Sequence, residues 1–365
     1  MRLSSGLKGI LFLLLLSICS CKDPERPIDD GWSPIENRYA SHFQILQRGE
    51  DRLLITFGPG GIKDTLDIFL TESDDPPLDR IAVGSTTHLP FIKALGKVDV
   101  VKGAAASRSV KDEEFRTAID AGEIREIGSA DGLNKETLVS LSLDVILDHP
   151  FGRSLARDIS GIPVLHITEY LEEHPLGRAE WIRAFGVLLG EEKRADSLFE
   201  VMEQRYQDAV FAEDRSDRPR VLFGSNWQGS WFSPPADSYM AILIKDAGGE
   251  YVLNDRRAVG NLTLSLEEVY GLLKHCDHFG MILANGGEVD AVHLVGGESR
   301  LMELPAVAHG GFYGDTEMAD LFGAALLEPD VVLLDLIAIF HPGKMPGDRQ
   351  PRYFRPLSGQ RTMPR

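Results

Sequence analysis

Four short segments hold the side chains best suited to gripping another molecule: Ser85-Thr-Thr-His88, Asp148-His-Pro-Phe151, Ser225-Asn-Trp227 and Asn285-Gly-Gly287. Each follows a short apolar run that reads as a strand, and in open α/β sheets ligands sit outside the carboxyl ends of the strands. Thr86 and Thr87 are placed to cap the helix that follows, whose free N–H groups would then face an anionic edge. His88 and His149 bring imidazoles able to bind a metal or a ligand carboxylate, although a histidine at a strand end is more often simply hydrogen-bonded or solvated. Trp227, Trp231 and Tyr239 cluster in and beside Asn226-Trp-Gln-Gly-Ser-Trp-Phe-Ser-Pro-Pro235. Indoles in a glycine- and proline-rich loop are poor core material, and their flat faces suit a large conjugated ring. Plain loop packing is the alternative. Tyr313, in Gly310-Gly-Phe-Tyr-Gly-Asp-Thr-Glu317, is placed to close over a ligand.

Bond-breaking chemistry lacks comparable support. No GxSxG elbow, HExxH, P-loop or post-strand GxGxxG occurs, so no catalytic residue and no cofactor is expected. Gly58-Pro-Gly-Gly61 lacks the spacing of a phosphate loop and opens no helix. The absence of CxxC and Cys/His clusters argues against a structural zinc site. A direct zinc or manganese binder would need three or four ligands, and His88, His149 and Glu288 are the set on offer, at a spacing that is not a metal motif.

Positioning those segments requires a particular succession of elements. Leu53-Leu-Ile-Thr-Phe57 and Leu66-Asp-Ile-Phe-Leu70 flank the glycine turn and predict a β-hairpin. From residue 80 short apolar strands alternate with helical stretches, the pattern of a parallel sheet covered by helices. The rhythm breaks between residues 175 and 212, where two apolar stripes at helical spacing contain no strand. Trp181, Ile182, Phe185, Leu188 and Leu189 make the first; Ala195, Leu198, Phe199, Met202, Tyr206 and Val210 make the second. The second helix would run about 20 residues, roughly 30 Å. Trp181 and Tyr206 fall on these stripes as core. Alternation then resumes, with a last helix over 329–340. The expected fold is α/β: two open lobes joined by one long α-helix, with an amino-terminal β-hairpin. The boundaries read as a signal peptide over 1–20, anchor and tether over 21–44, lobe one over 45–174, helical bridge over 175–216, lobe two over 217–345 and a tail over 346–365. Such a bridge leaves a cleft between the lobes.

Composition limits the partners. The 365 residues carry 38 basic against 56 acidic side chains, a formal net charge of −18, which argues against nucleic acid and anionic lipid head groups. At the amino terminus Arg2 and Lys8 precede an apolar run, Ile10-Leu-Phe-Leu-Leu-Leu-Leu-Ser-Ile18, about half the length that a spanning helix needs. Ile18-Cys-Ser-Cys21 follows, so cleavage before Cys21 and acylation of that cysteine are expected, tethering the protein to a membrane by lipid alone. An ordinary secreted protein is the alternative. Residues 22–34 are charged and proline-rich, as a tether would be. Cys276 is then left alone, most simply as a buried small residue.

Taken in order, several segments give the chain a family likeness. It resembles the substrate-binding proteins of bacterial ABC importers for iron-siderophore, haem and cobalamin. The likeness rests on Arg80-Ile-Ala-Val-Gly-Ser-Thr-Thr-His88, on Asn134-Lys-Glu-Thr-Leu-Val-Ser-Leu-Ser-Leu-Asp-Val-Ile-Leu147, and on Gly161-Ile-Pro-Val164. Glu169-Tyr-Leu-Glu-Glu-His-Pro-Leu-Gly-Arg-Ala-Glu-Trp181, Ser238-Tyr-Met-Ala-Ile-Leu-Ile-Lys-Asp-Ala-Gly-Gly249 and Leu334-Asp-Leu-Ile-Ala-Ile-Phe-His-Pro342 add to it. The resemblance implies a monomeric, lipid-anchored binding protein that delivers a small-molecule ligand to an ABC permease without altering it. It also implies a permease-docking glutamate on each lobe. Glu267 stands where the second-lobe residue would be, whereas Phe151-Gly-Arg-Ser-Leu155 offers none for the first. That departure keeps open a surface lipoprotein capturing such a ligand for an outer-membrane receptor.

Overall fold

In the computed structural model, the structure describes residues 31–129, 132–150, 158–212, 218–227, 230–283, 299–344 and 349–357. The amino-terminal part is an antiparallel meander of β1 (Ser33–Ile35), β2 (Phe43–Arg48), β3 (Asp51–Phe57) and β4 (Thr65–Thr71). The predicted hairpin is β3–β4, and two further strands extend it. Pro34 sits in the edge strand β1, where a missing N–H costs no ladder bond. Alternation divides the faces: Phe43, Ile45 and Leu54 join the core of lobe one, while Leu46, Leu53, Ile55 and Phe57 gather under Trp32.

Lobe one contains β5 (Ile81–Val83), β6 (Val101–Ala104), β7 (Arg125–Glu126), a ribbon of β8 (Gly128–Ser129) and β9 (Gly132–Leu133), then β10 (Val145–Asp148), β11 (Asp158–Ile159) and β12 (Ile162–His166). Among the described residues the main sheet runs β11-β12-β10-β5-β6-β7, parallel throughout except at the edge strand β11. The helices are α1 (Leu89–Ala94), α2 (Glu113–Asp120), which Asp112 caps, and α3 (Lys135–Ser140), which Asn134 caps. Chain order reverses between β5 and β10, because β6 and β7 lie to one side and β10 and β12 to the other.

Two antiparallel helices make the bridge, α4 (Pro175–Leu189) and α5 (Glu192–Ala209). They reverse at Gly190, whose φ of +67° is a left-handed helix end that favours glycine. α4 is apolar nearly all round and buried nearly all round. The 18 residues of α5 span about 27 Å. Phe199 and Met202 sit in the core of lobe one, while Tyr206 sits in that of lobe two and donates to Asp246 at 2.7 Å. Leu176, at the start of α4, also enters the core of lobe two. Each helix is therefore seated in both lobes.

Lobe two is built from β13 (Arg220–Trp227), β14 (Ser230–Ser233), α6 (Tyr239–Asp246), β15 (Glu250–Tyr251), β16 (Leu262–Leu264), α7 (Leu266–Leu273), β17 (His278–Met281), α8 (Pro305–Ala308), β18 (Phe312–Asp315), α9 (Pro329–Phe340) and β19 (Phe354–Pro356). Strands β15, β13, β17 and β18 are parallel; β14, β16 and β19 pair antiparallel around them. Cys276 is buried, which pushes its thiol up to about 12.

The amino-terminal sheet is pinned to the bridge by two buried carboxylates on or just before α4. Glu180 accepts the backbone N–H groups of Arg38, Tyr39 and Ala40, each at 2.8 Å. Glu172 accepts those of Ser41 and His42 at 2.9 Å and the Trp181 indole at 3.0 Å. The Tyr39 hydroxyl and the Arg38 guanidinium both reach Glu203 on α5.

Candidate ligand cleft between the lobes

Where chain order reverses in lobe one, the carboxyl ends of β5 and β10 lie side by side, the place where open α/β sheets bind ligands. A Cβ on Gly84 would meet the Asp148 carboxylate at 2.0 Å, so only glycine lets these strand ends close up. Ser85, not Thr86 or Thr87, supplies the cap: its hydroxyl accepts the Thr87 N–H at 3.3 Å. The Thr87 hydroxyl donates to Glu169 at 2.5 Å and lies 2.8 Å from the Ser85 hydroxyl. Thr86 lines the interlobe cavity.

His88 is fully buried, with Nε2 3.8 Å from Glu169 Oε2, and neither ring nitrogen has a hydrogen-bond partner among the described residues. Burial first, and then the neighbouring His149, push its imidazole down to about 3, so the ring is neutral at neutral pH. Burial raises Glu169 above the usual carboxylate range, against the pull of the Thr87 hydroxyl. His149 keeps some solvent contact, and its Nδ1 lies 3.6 Å from Asp148 Oδ1. Among the described residues no three His, Cys, Asp or Glu side chains are grouped to hold a metal ion; Glu288 lies outside them.

The aromatic candidates separate. Trp231 is wholly buried, stacks on Phe279 with centroids 5.2 Å apart and donates to Ser233 at 3.0 Å. It is core, contrary to the expectation from its loop-like surroundings, because Trp231 lies within β14, where alternation turns it inward. Tyr313 is likewise core rather than a closing lid: it lies in β18, between β17 and β19, packed against Phe223, Phe340 and Phe354. Tyr239 opens α6 and meets the bridge, with the Arg178 guanidinium 3.7 Å from the centre of its ring. Burial lowers the Arg178 value. Trp227 ends β13 with its side chain outside the described residues; Asn285 and Cys21 also lie outside them. Glu267 is exposed in the first turn of α7, without an ion-pair partner among the described residues.

A cavity of about 490 Å³ opens where α1, α5 and the 320–328 segment of lobe two meet. Both lobes and the bridge wall it, and the ends of β5, β6 and β18 feed the segments that line it. This volume lies within the range of small-molecule sites, about 300–1,000 Å³. Its walls mix apolar side chains such as Phe115, Val201 and Phe322 with basic ones such as Lys93, Lys111 and Arg205. Sequence reasoning missed these residues. Val201 and Arg205 do stand four residues apart on α5, flanking the core-facing Leu198 and Met202.

Two α/β lobes on a helical bridge, with a cavity walled by both, are the architecture of a solute-binding protein. The chain belongs to the periplasmic binding protein family, whose pattern it matches over residues 81–270. Members of this family are non-enzymatic transport components that work with ABC transporters outside the cytoplasm. An uncharacterized lipoprotein of Methanocaldococcus jannaschii is 25% identical over 290 residues, covering 76% of this chain and 68% of the relative. A periplasmic haem-binding protein from Pseudomonas aeruginosa shares the fold with a TM-score of 0.54 at 18% identity, over 77% of this chain and 95% of that one. A protein of an ABC-type Fe³⁺-hydroxamate transport system from Saccharomonospora viridis does so at 0.56 and 19%, over 77% and 98%.

Proposed function

We propose that this protein is the lipid-anchored binding subunit of an ABC importer. It holds an iron-siderophore, a haem or a cobalamin-type ligand between its lobes and passes it, chemically unchanged, to a permease. The observation that carries this reading is the cavity of about 490 Å³ walled by both lobes and α5. A ligand there touches the two bodies and the bridge together, so a docked permease that shifts one lobe against the other would loosen it. Similar folds that handle haem and ferric hydroxamate support the ligand class. The lipoprotein relative supports acylation at Cys21. An exposed Glu267, in no ion pair among the described residues, suits the docking role on lobe two.

The test is direct titration of the purified full chain with ferric hydroxamate, haemin and cobalamin, followed by visible absorption and tryptophan fluorescence. We expect micromolar or tighter binding of at least one, with the bound compound recovered intact. Absence of binding by all three at micromolar concentrations contradicts the ligand class. Radiolabelled palmitate incorporated by the native chain and lost in Cys21→Ala checks the anchor separately.

A further inference from the structure

The charges around the cavity are not evenly committed. Each carboxylate on its wall already has a partner. Asp112 takes Lys93 at 2.6 Å and caps α2. Asp320 accepts the Ala324 N–H at 3.1 Å, and Glu328 pairs with Arg352 at 3.1 Å. Two cations remain. Arg205, exposed on α5, has no ion-pair partner among the described residues. Lys111 spends its ammonium on a neutral acceptor, the Ala319 carbonyl at 2.5 Å, in a contact that crosses from lobe one to lobe two. Within a chain of net charge −18, two cations held in no salt bridge among the described residues, Lys111 feeling only the more distant pull of Asp315, make this cavity the reverse of the general field.

The apolar wall beside these cations is unusually open. Phe322 is 58% exposed and Val201 47%, both lining the cavity. Large apolar side chains left in water at a concave surface mark a place where an apolar body is meant to rest. We propose that the cavity selects an anionic chelate with a flat or apolar body, its carboxylate or catecholate charge met by Arg205 and Lys111 and its body laid on Phe322 and Val201. This rests on the binding reading above and narrows it: neutral and cationic hydroxamates fit these walls poorly. The guanidinium on the bridge and the ammonium on lobe one would receive the charge from two sides. Lys111 would trade its carbonyl for the ligand, so occupancy and the cross-lobe contact compete.

The experiment compares haemin with its dimethyl ester, which keeps the ring and removes the free carboxylates, on the purified full chain. We expect haemin to bind at least tenfold tighter, with an affinity that falls as salt rises. Arg205→Ala and Lys111→Ala should each cost about tenfold for haemin and leave the ester unchanged, while Arg205→Lys and Lys111→Arg retain most of the affinity. Both residues are exposed, and matched unfolding curves for the variants would separate a binding loss from a folding one. Equal binding of acid and ester, indifferent to both variants, overturns the anionic assignment and leaves the proposed function standing. Failure of haemin, a ferric catecholate, ferric hydroxamate and cobalamin alike to bind overturns both.

Discussion

Trp231 and His88 show how surroundings, not residue type, decide what a side chain does. An indole in a glycine-rich stretch reads as a ligand platform, yet Trp231 lies inside β14, stacked on Phe279 and donating to Ser233. Truncating so large a buried ring leaves a void, so Trp231→Ala should destabilise the protein by about 3–5 kcal/mol in denaturant unfolding. Loss of binding without loss of stability would show that the ring faces a ligand after all. His88 is a buried neutral ring whose value falls from 6.5 to about 3. Between those values the unfolded chain takes up a proton that the folded chain refuses. The stability held by the neutral ring is complete above pH 6.5 and is lost as pH falls toward 3. From about pH 7.5 to about pH 5.5 that loss is about 1.4 kcal/mol. His88→Gln should lose less stability than the native chain by that amount over the same interval, and an identical pH dependence would contradict the burial of a neutral imidazole.

Elements were more legible than sites, for physical reasons visible in particular residues. The strand and helix runs of both lobes carry their own signals: Ser238, Ser265 and Asn134 cap the helices that follow them, and Pro329 opens α9 in its first turn. The two helical stripes between residues 175 and 212 became α4 and α5, and Trp181 and Tyr206 are core as their spacing predicts. Strands β1 and β2 were missed because β1 is three residues with a proline and the pattern of β2 is irregular. The attachment of that sheet has no sequence signal at all, since nothing in the spacing of Glu172 and Glu180 links them to residues 38–42. Only the fold brings the N–H groups of residues 38–42 to them. Removing the acceptor leaves three part-buried donors without it, at up to about 1–3 kcal/mol each. Glu180→Ala should therefore cost several kilocalories per mole and speed amide hydrogen exchange at residues 38–40 before the rest of the chain. Unchanged protection there would mean that the carboxylate does not hold the segment. The cavity lining escaped notice for a similar reason: Arg205, Lys111 and Phe322 come from a helix, a strand-end loop and a lobe-two loop that only tertiary packing unites.

At the scale of the whole molecule, the bridge governs motion. Phe199 and Met202 are held by one core and Tyr206 by the other, so swinging the lobes apart would pull an intact helix out of packed surroundings. A hinge of this kind permits small adjustments rather than the wide closure of loop-hinged proteins. Small-angle scattering with and without bound chelate should show the radius of gyration changing by less than about 1 Å. A large compaction on binding would mean that α4 and α5 do not act as a fixed strut.

Iron itself offers the sharpest check on where the ligand rests. Crystals of the protein loaded with a ferric chelate, measured on both sides of the iron absorption edge, locate the metal independently of any side-chain interpretation. The account places a single anomalous peak between α1, α5 and the 320–328 segment, inside the cavity shared by the two lobes. A peak outside that space, or none in a protein that binds the chelate in solution, would contradict it.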